Sequence, residues 1–307
     1  MYNTYPGSGS FSLSLSFGKR MALFVCVFFV CFLISGVLGY LVLRIGHDGA
    51  PALRIATVVQ DVLVFIVPAV ATALLITRRP DRFLLIDRAP RLSLLLLSIG
   101  TFIVSVPVMN RIVAWNQGLQ LPESMAALQQ WMADAEQHAA ALTDLLIGGQ
   151  SVMGMVLGVL IVGVLAGLSE ELFFRGTLQR LFMTRPMNPH VAIWLTAALF
   201  SLFHFQFFGF VPRMLLGAFF GYMAWWTRCL WVPVVLHALN NSMVVITTWM
   251  TNTGRMSADI DSLGTTNSVA DIVQCIGCTV MVCVGLFAIR RLTLRMWAAD
   301  QTACDGK

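Results

Sequence analysis

Long uncharged apolar runs alternate along this chain with short polar, basic breaks. About 20 apolar residues cross a bilayer as a helix. Eight windows meet that test, at roughly 21–43, 55–77, 92–110, 149–172, 190–210, 212–228, 230–250 and 269–289. The piece between the third and fourth windows has a different rhythm. From Met125 onward, Leu128, Met132, Ala135, Ala139, Leu142 and Leu146 recur every three or four residues, while Glu123, Asp134, Glu136 and Asp144 fall elsewhere. This spacing predicts an amphipathic helix near 122–146, lying on the outer membrane surface or over the mouth of the bundle. The expected fold is all-α: a polytopic membrane protein, an eight-transmembrane-helix bundle with one interfacial amphipathic helix.

Composition agrees and removes other classes. Of 307 residues, 58% are hydrophobic and 11% charged, with a mean hydropathy of +0.79; a soluble globular domain is far more polar. Lys19 and Arg20 precede the first window, which is long and lacks a small-residue cleavage site, so it reads as an anchor and not a removed signal peptide. With both termini cytoplasmic, only Arg44, Arg54, Arg111, Arg213 and Arg255 of the 20 Lys and Arg fall outside. That asymmetry follows the positive-inside rule and accounts for the net charge of +5 without a nucleic-acid partner. The Ser/Gly-rich residues 1–18 read as a tail. Seven cysteines lie mostly in or beside spans and imply no disulfide framework; Cys275-x-x-Cys278 reads as helix packing. The terminal Cys304-Asp305-Gly306-Lys307 lacks the aliphatic middle of a prenylation signal.

Chemistry enters where charge interrupts an apolar run. After the uncharged stretch 151–168 comes Ser169-Glu170-Glu171-Leu172-Phe173-Phe174-Arg175-Gly176. Carboxylates at bilayer depth are costly unless they pair or face a polar cavity. On a helix Glu171 and Arg175 stand at i and i+4 and can pair, whereas Glu170 points about 100° away with no local partner. Asp61, in the second window, reads as a structural or interface acid. Gly154-x-x-x-Gly158 and Gly163-x-x-x-Gly167 in the fourth window, and Gly217-x-x-x-Gly221 in the sixth, predict close helix approach, with the fourth span central. Two further windows carry Phe200-x-x-x-His204 and His237-x-x-x-Asn241, the latter pair on one helix face. At about 1.5 Å per residue, Glu170 falls about 10 Å from the cytoplasmic end if its span continues past Arg175, His237 also about 10 Å, and His204 nearer 20 Å. Such groups suit water activation: Glu170 as proton acceptor with His204, and His237 with Asn241 facing an oxyanion. Alternatively Glu170, His204 and His237, with Asn241, hold one divalent ion, zinc being the ion that such a donor set favours. The residues leave open whether there is no cofactor or one divalent metal.

Glu170-Glu171-x-x-x-Arg175, Phe200-x-x-x-His204 and His237-x-x-x-Asn241, in this order on separate windows, resemble the three motifs of the CPBP family of intramembrane proteases. That family includes the type II CAAX prenyl endopeptidase and bacteriocin-processing or self-immunity proteins. The resemblance covers about Gly154 to Val245. It implies a glutamate-type intramembrane endopeptidase with Glu170, His204, His237 and Asn241 catalytic and Glu171 and Arg175 shaping the site. The expected organisation is a cytoplasmic tail (1–20), N-terminal helices with the interfacial segment (21–148), a CPBP-type catalytic core (149–250), and an outer loop, last span and cytoplasmic tail (251–307). Expected partners are membrane lipid and a peptide or lipidated-protein substrate cut near the cytoplasmic face. The bacterial cytoplasmic membrane is the expected location, and the residues do not speak to oligomeric state. A peptide-binding immunity protein and a transporter are the alternatives. The second would favour inverted repeats, for which the two halves show no correspondence.

Overall fold

A computed structural model describes residues 15–46, 49–147, 149–184, 187–256, 264–266 and 268–305, with side chains to residue 298. The glycine/serine stretch before residue 15, Arg185, Lys307 and the Cys304 side chain lie outside the described residues. The described chain is helical: α1 (Phe17–Ile45), α2 (Ala50–Ile76), α3 (Leu92–Gln117), α4 (Ala126–Ile147), α5 (Val152–Met183), α6 (Pro189–Leu202), α7 (Phe210–Thr227), α8 (Trp231–Asn252) and α9 (Val269–Asp305). Local chemistry sets several starts. Pro51 and Pro189 occupy first-turn positions where a missing N–H costs little. Ser151 Oγ accepts from Gly154 N at 3.3 Å to cap α5, and Asn188 Oδ1 accepts from His190 N at 2.9 Å to cap α6.

Seven helices are long and apolar enough to cross a membrane. The eighth expected span is shorter than its 190–210 window: α6 has 14 residues and stops at Leu202. Phe205 then takes a left-handed conformation at φ 52°, and His204 Nδ1 donates to the Phe200 carbonyl at 2.8 Å, closing the helix end. Nothing glycine- or proline-like marks this stop. The reverse error occurs in α5, which runs on to Met183. Glu170 is therefore about 20 Å from that end and not about 10 Å. His204, at the far end of the short α6, stands about 22 Å along its own helix, so the two come level well inside the bundle. The start of α8 is drawn inward too, because Leu230 N donates to the Leu85 carbonyl at 2.8 Å. The basic loop before α3 thus dips into the protein, burying Phe83, Leu84 and Leu85.

The glycine stripes do what small residues do between membrane helices. A Cβ on Gly158 would meet Val245 at 3.0 Å, one on Gly163 would collide with Ser242, and one on Gly167 would meet the Ala238 backbone nitrogen at 3.0 Å. The contacts run in opposite chain directions, so α5 and α8 pack antiparallel at close range. On another side, a Cβ on Gly217 of α7 would meet Arg175 Nη2 at 3.2 Å. Backbone at Gly167 cannot swing aside as a side chain can. Gly167→Leu is therefore expected to separate α5 from α8 at a cost of about 1–3 kcal/mol, read as a lower unfolding temperature in detergent; an unchanged temperature would contradict this packing.

The amphipathic prediction appears as α4, preceded by a single 3-10 turn at Glu123–Met125. The helix lies over the end of the bundle where α2 and α5 begin: Arg54 Nε donates to the Leu146 carbonyl at 2.9 Å, and the Trp131 ring lies tilted against Phe207, their centroids 5.3 Å apart. Outward faces of α1 and α9 expose Phe29, Phe32, Leu33, Val37, Val280, Val284 and Phe287, an apolar girdle that suits hydrocarbon. Cys275 is buried against the Pro107 and Gly264 carbonyls, a packing position.

Candidate active site

Glu170 and Glu171 lie on a regular α-helical piece of α5, Ala166–Glu171, between two π-helical stretches, Val159–Leu165 and Leu172–Leu178. A π turn widens the helix and rotates the side chains that follow, and such turns recur at functional sites. Phe173 and Phe174 anchor this segment among Phe24, Phe28, Phe65, Phe200 and Phe203. The carboxylates are left facing the polar side.

Glu171 is fully buried and accepts from Arg175 Nη1 at 2.6 Å, the i,i+4 pair. Arg175, also fully buried, donates Nη2 to the Gly217 carbonyl at 3.0 Å and lies over the Phe200 ring at 4.4 Å. The same Glu171 Oε1 accepts from His237 Nδ1 at 2.8 Å, and the His237 ring stacks on Phe220 at 5.1 Å. Arg175, Glu171 and His237 are thus one chain of bonds across α5 and α8.

Glu170 is held differently. Its Oε2 is buried and has no hydrogen-bond partner among the described residues. Two imidazoles flank it, with His204 Nε2 at 3.8 Å and His237 Nε2 at 3.9 Å. These gaps exceed a direct hydrogen bond and suit one bridging water. Partners place one ring proton on each: His204 Nδ1 faces a carbonyl and His237 Nδ1 a carboxylate, so each Nδ1 donates, and Nε2 of a ring in its neutral form is then an acceptor. Three acceptors therefore converge on one small space.

Four anchors hold the loop 203–209 that presents His204. Ser201 Oγ donates to the Phe210 carbonyl at 2.8 Å, Asn116 Oδ1 accepts from Val211 N at 2.8 Å, and Arg213 donates to Gln206 Oε1 at 2.6 Å and to its carbonyl at 3.1 Å. Asn241 lies one turn beyond His237. Its Nδ2 donates to the Val162 carbonyl at 3.1 Å, and its Oδ1 accepts from Asn240 at 3.1 Å. Val162 is eight residues before Glu170, about 12 Å along α5. The structure therefore brings Glu170, Glu171, Arg175, His204 and His237 together and bonds Asn241 to α5 two turns away.

The interface acid Asp61 packs close to this site. Asp61, 3% exposed, opens a π-helical stretch of α2, Asp61–Ile66, that packs on the Glu170-bearing piece of α5. Its Oδ2 has no hydrogen-bond partner among the described residues. The only available signal was that an acid sits at depth in an apolar window.

A zinc site sets donors about 3.3–3.5 Å apart, given bonds of about 2.0–2.2 Å. The Glu170 to imidazole separations of 3.8 and 3.9 Å are wider. Among the described residues no group of three or more His, Cys, Asp and Glu is disposed to hold a metal ion. This arrangement does not fit a bound ion, and no step below runs through one.

Residues 152–243 match the family model described as type II CAAX prenyl endopeptidase Rce1-like. The matched stretch runs from α5 into α8 and contains Glu170, Glu171, Arg175, His204, His237 and Asn241. No curated protein and no solved structure matches the chain. The matched segment of this multi-pass membrane protein is thus similar to CAAX-type membrane proteases, consistent with the CPBP resemblance.

Proposed function

From the premise that residues 152–243 form an Rce1-like protease domain, we propose that the chain is an intramembrane endopeptidase. It hydrolyses a peptide bond of a membrane-associated peptide or protein, prenylated CAAX-type tails included, by water that Glu170 activates. The observation carrying this reading is the buried, unpartnered Glu170 Oε2 between two imidazole acceptors. A water there gives one hydrogen to Glu170 and the other to an imidazole Nε2, which turns its lone pairs toward an incoming carbonyl. On attack the water oxygen bonds to the carbonyl carbon, its proton passes to Glu170, and the carbonyl electron pair moves onto oxygen. Collapse breaks the C–N bond, and Glu170 returns the proton to the departing amine. Glu171 acts through His237, fixing its tautomer, and Arg175 holds Glu171.

The apolar girdle favours lipid as the surroundings and a substrate arriving within the membrane. We place the protein in the bacterial cytoplasmic membrane with both termini inside. Nucleic acid has no role in this reading. Purified protein offered pooled prenylated and unprenylated peptides should cleave a subset, with cleavage unaffected by a zinc chelator and reduced about 10²–10⁴-fold in His204→Ala. Peptide bound but uncut by the wild type would favour the immunity-type binding reading. Inhibition by chelator would overturn the metal-free route.

A further inference from the structure

A second polar site lies at the end of the bundle where α3 and α8 begin and α7 ends. There Arg88, Arg91, Arg228, Cys229, Thr293 and Trp297 line one cavity of about 80 Å³. Its lining residues include three arginines and no Asp or Glu, so the field inside it is positive and attracts an anion. Asp87 stands beside it, but at 3.7 Å from Arg88 Nε and 3.9 Å from Arg82 Nε its one charge is shared between two cations. Arg228 closes α7 in the left-handed conformation at φ 53°, where glycine or asparagine is usual. A long side chain kept at such a position points to a task for that side chain. The Arg228 side chain is half-buried, and its Cζ lies over the Trp297 ring at 3.6 Å, a contact that fixes the guanidinium and leaves its charge in place. Cys229 Sγ donates to the Arg88 carbonyl at 3.3 Å, and Thr227 Oγ1 to the Cys229 carbonyl at 3.2 Å, tying the turn after α7 to the loop before α3. No side chain caps the start of α3 at Arg91, which adds the positive end of a helix dipole.

We propose that this cavity binds the headgroup phosphate of an anionic membrane phospholipid. The proposal uses none of the hydrolytic residues and stands apart from that reading. Arginine suits phosphate, whose oxygens its planar fork meets in pairs. Half-buried Arg228 makes the inner contact, and exposed Arg88 and Arg91 close on the group from the rim. Lipid is the source because apolar surface continues from the cavity. Leu294, next to Thr293, is exposed together with Phe287 and Val284 at helical spacing on α9, and an acyl chain attached to the phosphate lies along them. Tryptophan at a span end sits at headgroup level, and basic pockets between membrane helices receive anionic headgroups. A zwitterionic lipid brings its own cation toward the three arginines and binds less well.

The test uses the full chain, purified in neutral detergent and freed of lipid. It is titrated with phosphatidylglycerol, with phosphatidylcholine of the same acyl chains and with inorganic phosphate, and bound lipid is read by native mass spectrometry. Phosphatidylglycerol should bind more tightly than phosphatidylcholine, with each lost arginine weakening it about fivefold. Arg228→Gly removes one charge and relieves the left-handed strain, so its lipid-free unfolding temperature should stay near that of the wild type. The double variant Arg88→Gln, Arg91→Gln changes two exposed positions, should fold normally and should lose about 25-fold. Arg78→Gln, an exposed arginine of the same loop outside the cavity lining, should leave the affinity unchanged. Equal binding of the two lipids, or a loss in Arg78→Gln as large as in Arg228→Gly, would overturn the assignment in favour of diffuse surface charge. Inorganic phosphate that displaces phosphatidylglycerol at equal concentration would overturn the lipid in favour of a soluble phosphate compound.

Discussion

Arg175→Ala is expected to lower stability by about 3–5 kcal/mol, the cost of stranding a buried charge when its partner is removed. The substitution leaves Glu171 in a fully buried position with His237 as its remaining described partner, orphans the Gly217 carbonyl and empties the space beneath Phe200. Native proteins have about 5–15 kcal/mol in hand, so much of the protein should unfold at temperatures the wild type withstands. Arg175→Lys should recover little, because one ammonium cannot reproduce the planar fork that reaches both Glu171 and Gly217. The double variant Arg175→Met, Glu171→Gln removes both charges and should be more stable than Arg175→Ala. Thermal unfolding in detergent reads all three; a midpoint for Arg175→Ala within a degree or two of wild type would show that the pair contributes nothing.

Glu170→Gln should act in the opposite way, leaving the fold intact and removing the activity. Glu170 Oε2 makes no hydrogen bond among the described residues, so replacing it breaks none there. An amide cannot accept the proton of water and return it to the amine. A general base contributes about 10²–10⁴-fold; since this one handles both proton transfers, the loss should reach the upper end. Unfolding temperature equal to or above wild type, together with cleavage down by about 10⁴-fold, is the expected pair of results. Glu171→Gln should instead reduce both stability and activity, because Glu171 holds His237 and Arg175 in place.

What could be read in advance follows from how each feature is encoded. Helix periodicity is local, so the Glu171–Arg175 pair and the glycine stripes of α5 were visible as spacings and recur as a 2.6 Å ion pair and close α5–α8 contacts. The interfacial helix was visible for the same reason. The end of α6 was not, because Phe203, Phe205 and Phe207 are as apolar in a turn as in a span; a histidine bonding its own helix terminus and a left-handed Phe205 make the turn. The π stretches flanking Glu170 leave no mark in a run of valine, leucine and glycine. Asp61 comes near the Glu170-bearing piece of α5 only because two distant helices pack together, and no short-range rule relates them. Asn241 shows a limit of another kind: its motif spacing places it on the face of His237, yet its amide is bonded to Val162.

The central claim is that Glu170 drives water directly onto a peptide carbonyl. The measurement that tests it most directly is cleavage in heavy-oxygen water, with products weighed by mass spectrometry for the wild type and for folded Glu170→Gln. The account predicts one solvent oxygen in the new carboxyl group of the wild-type product, at a rate untouched by chelator, and no product from Glu170→Gln. Cleavage by Glu170→Gln at a rate near that of the wild type would contradict it.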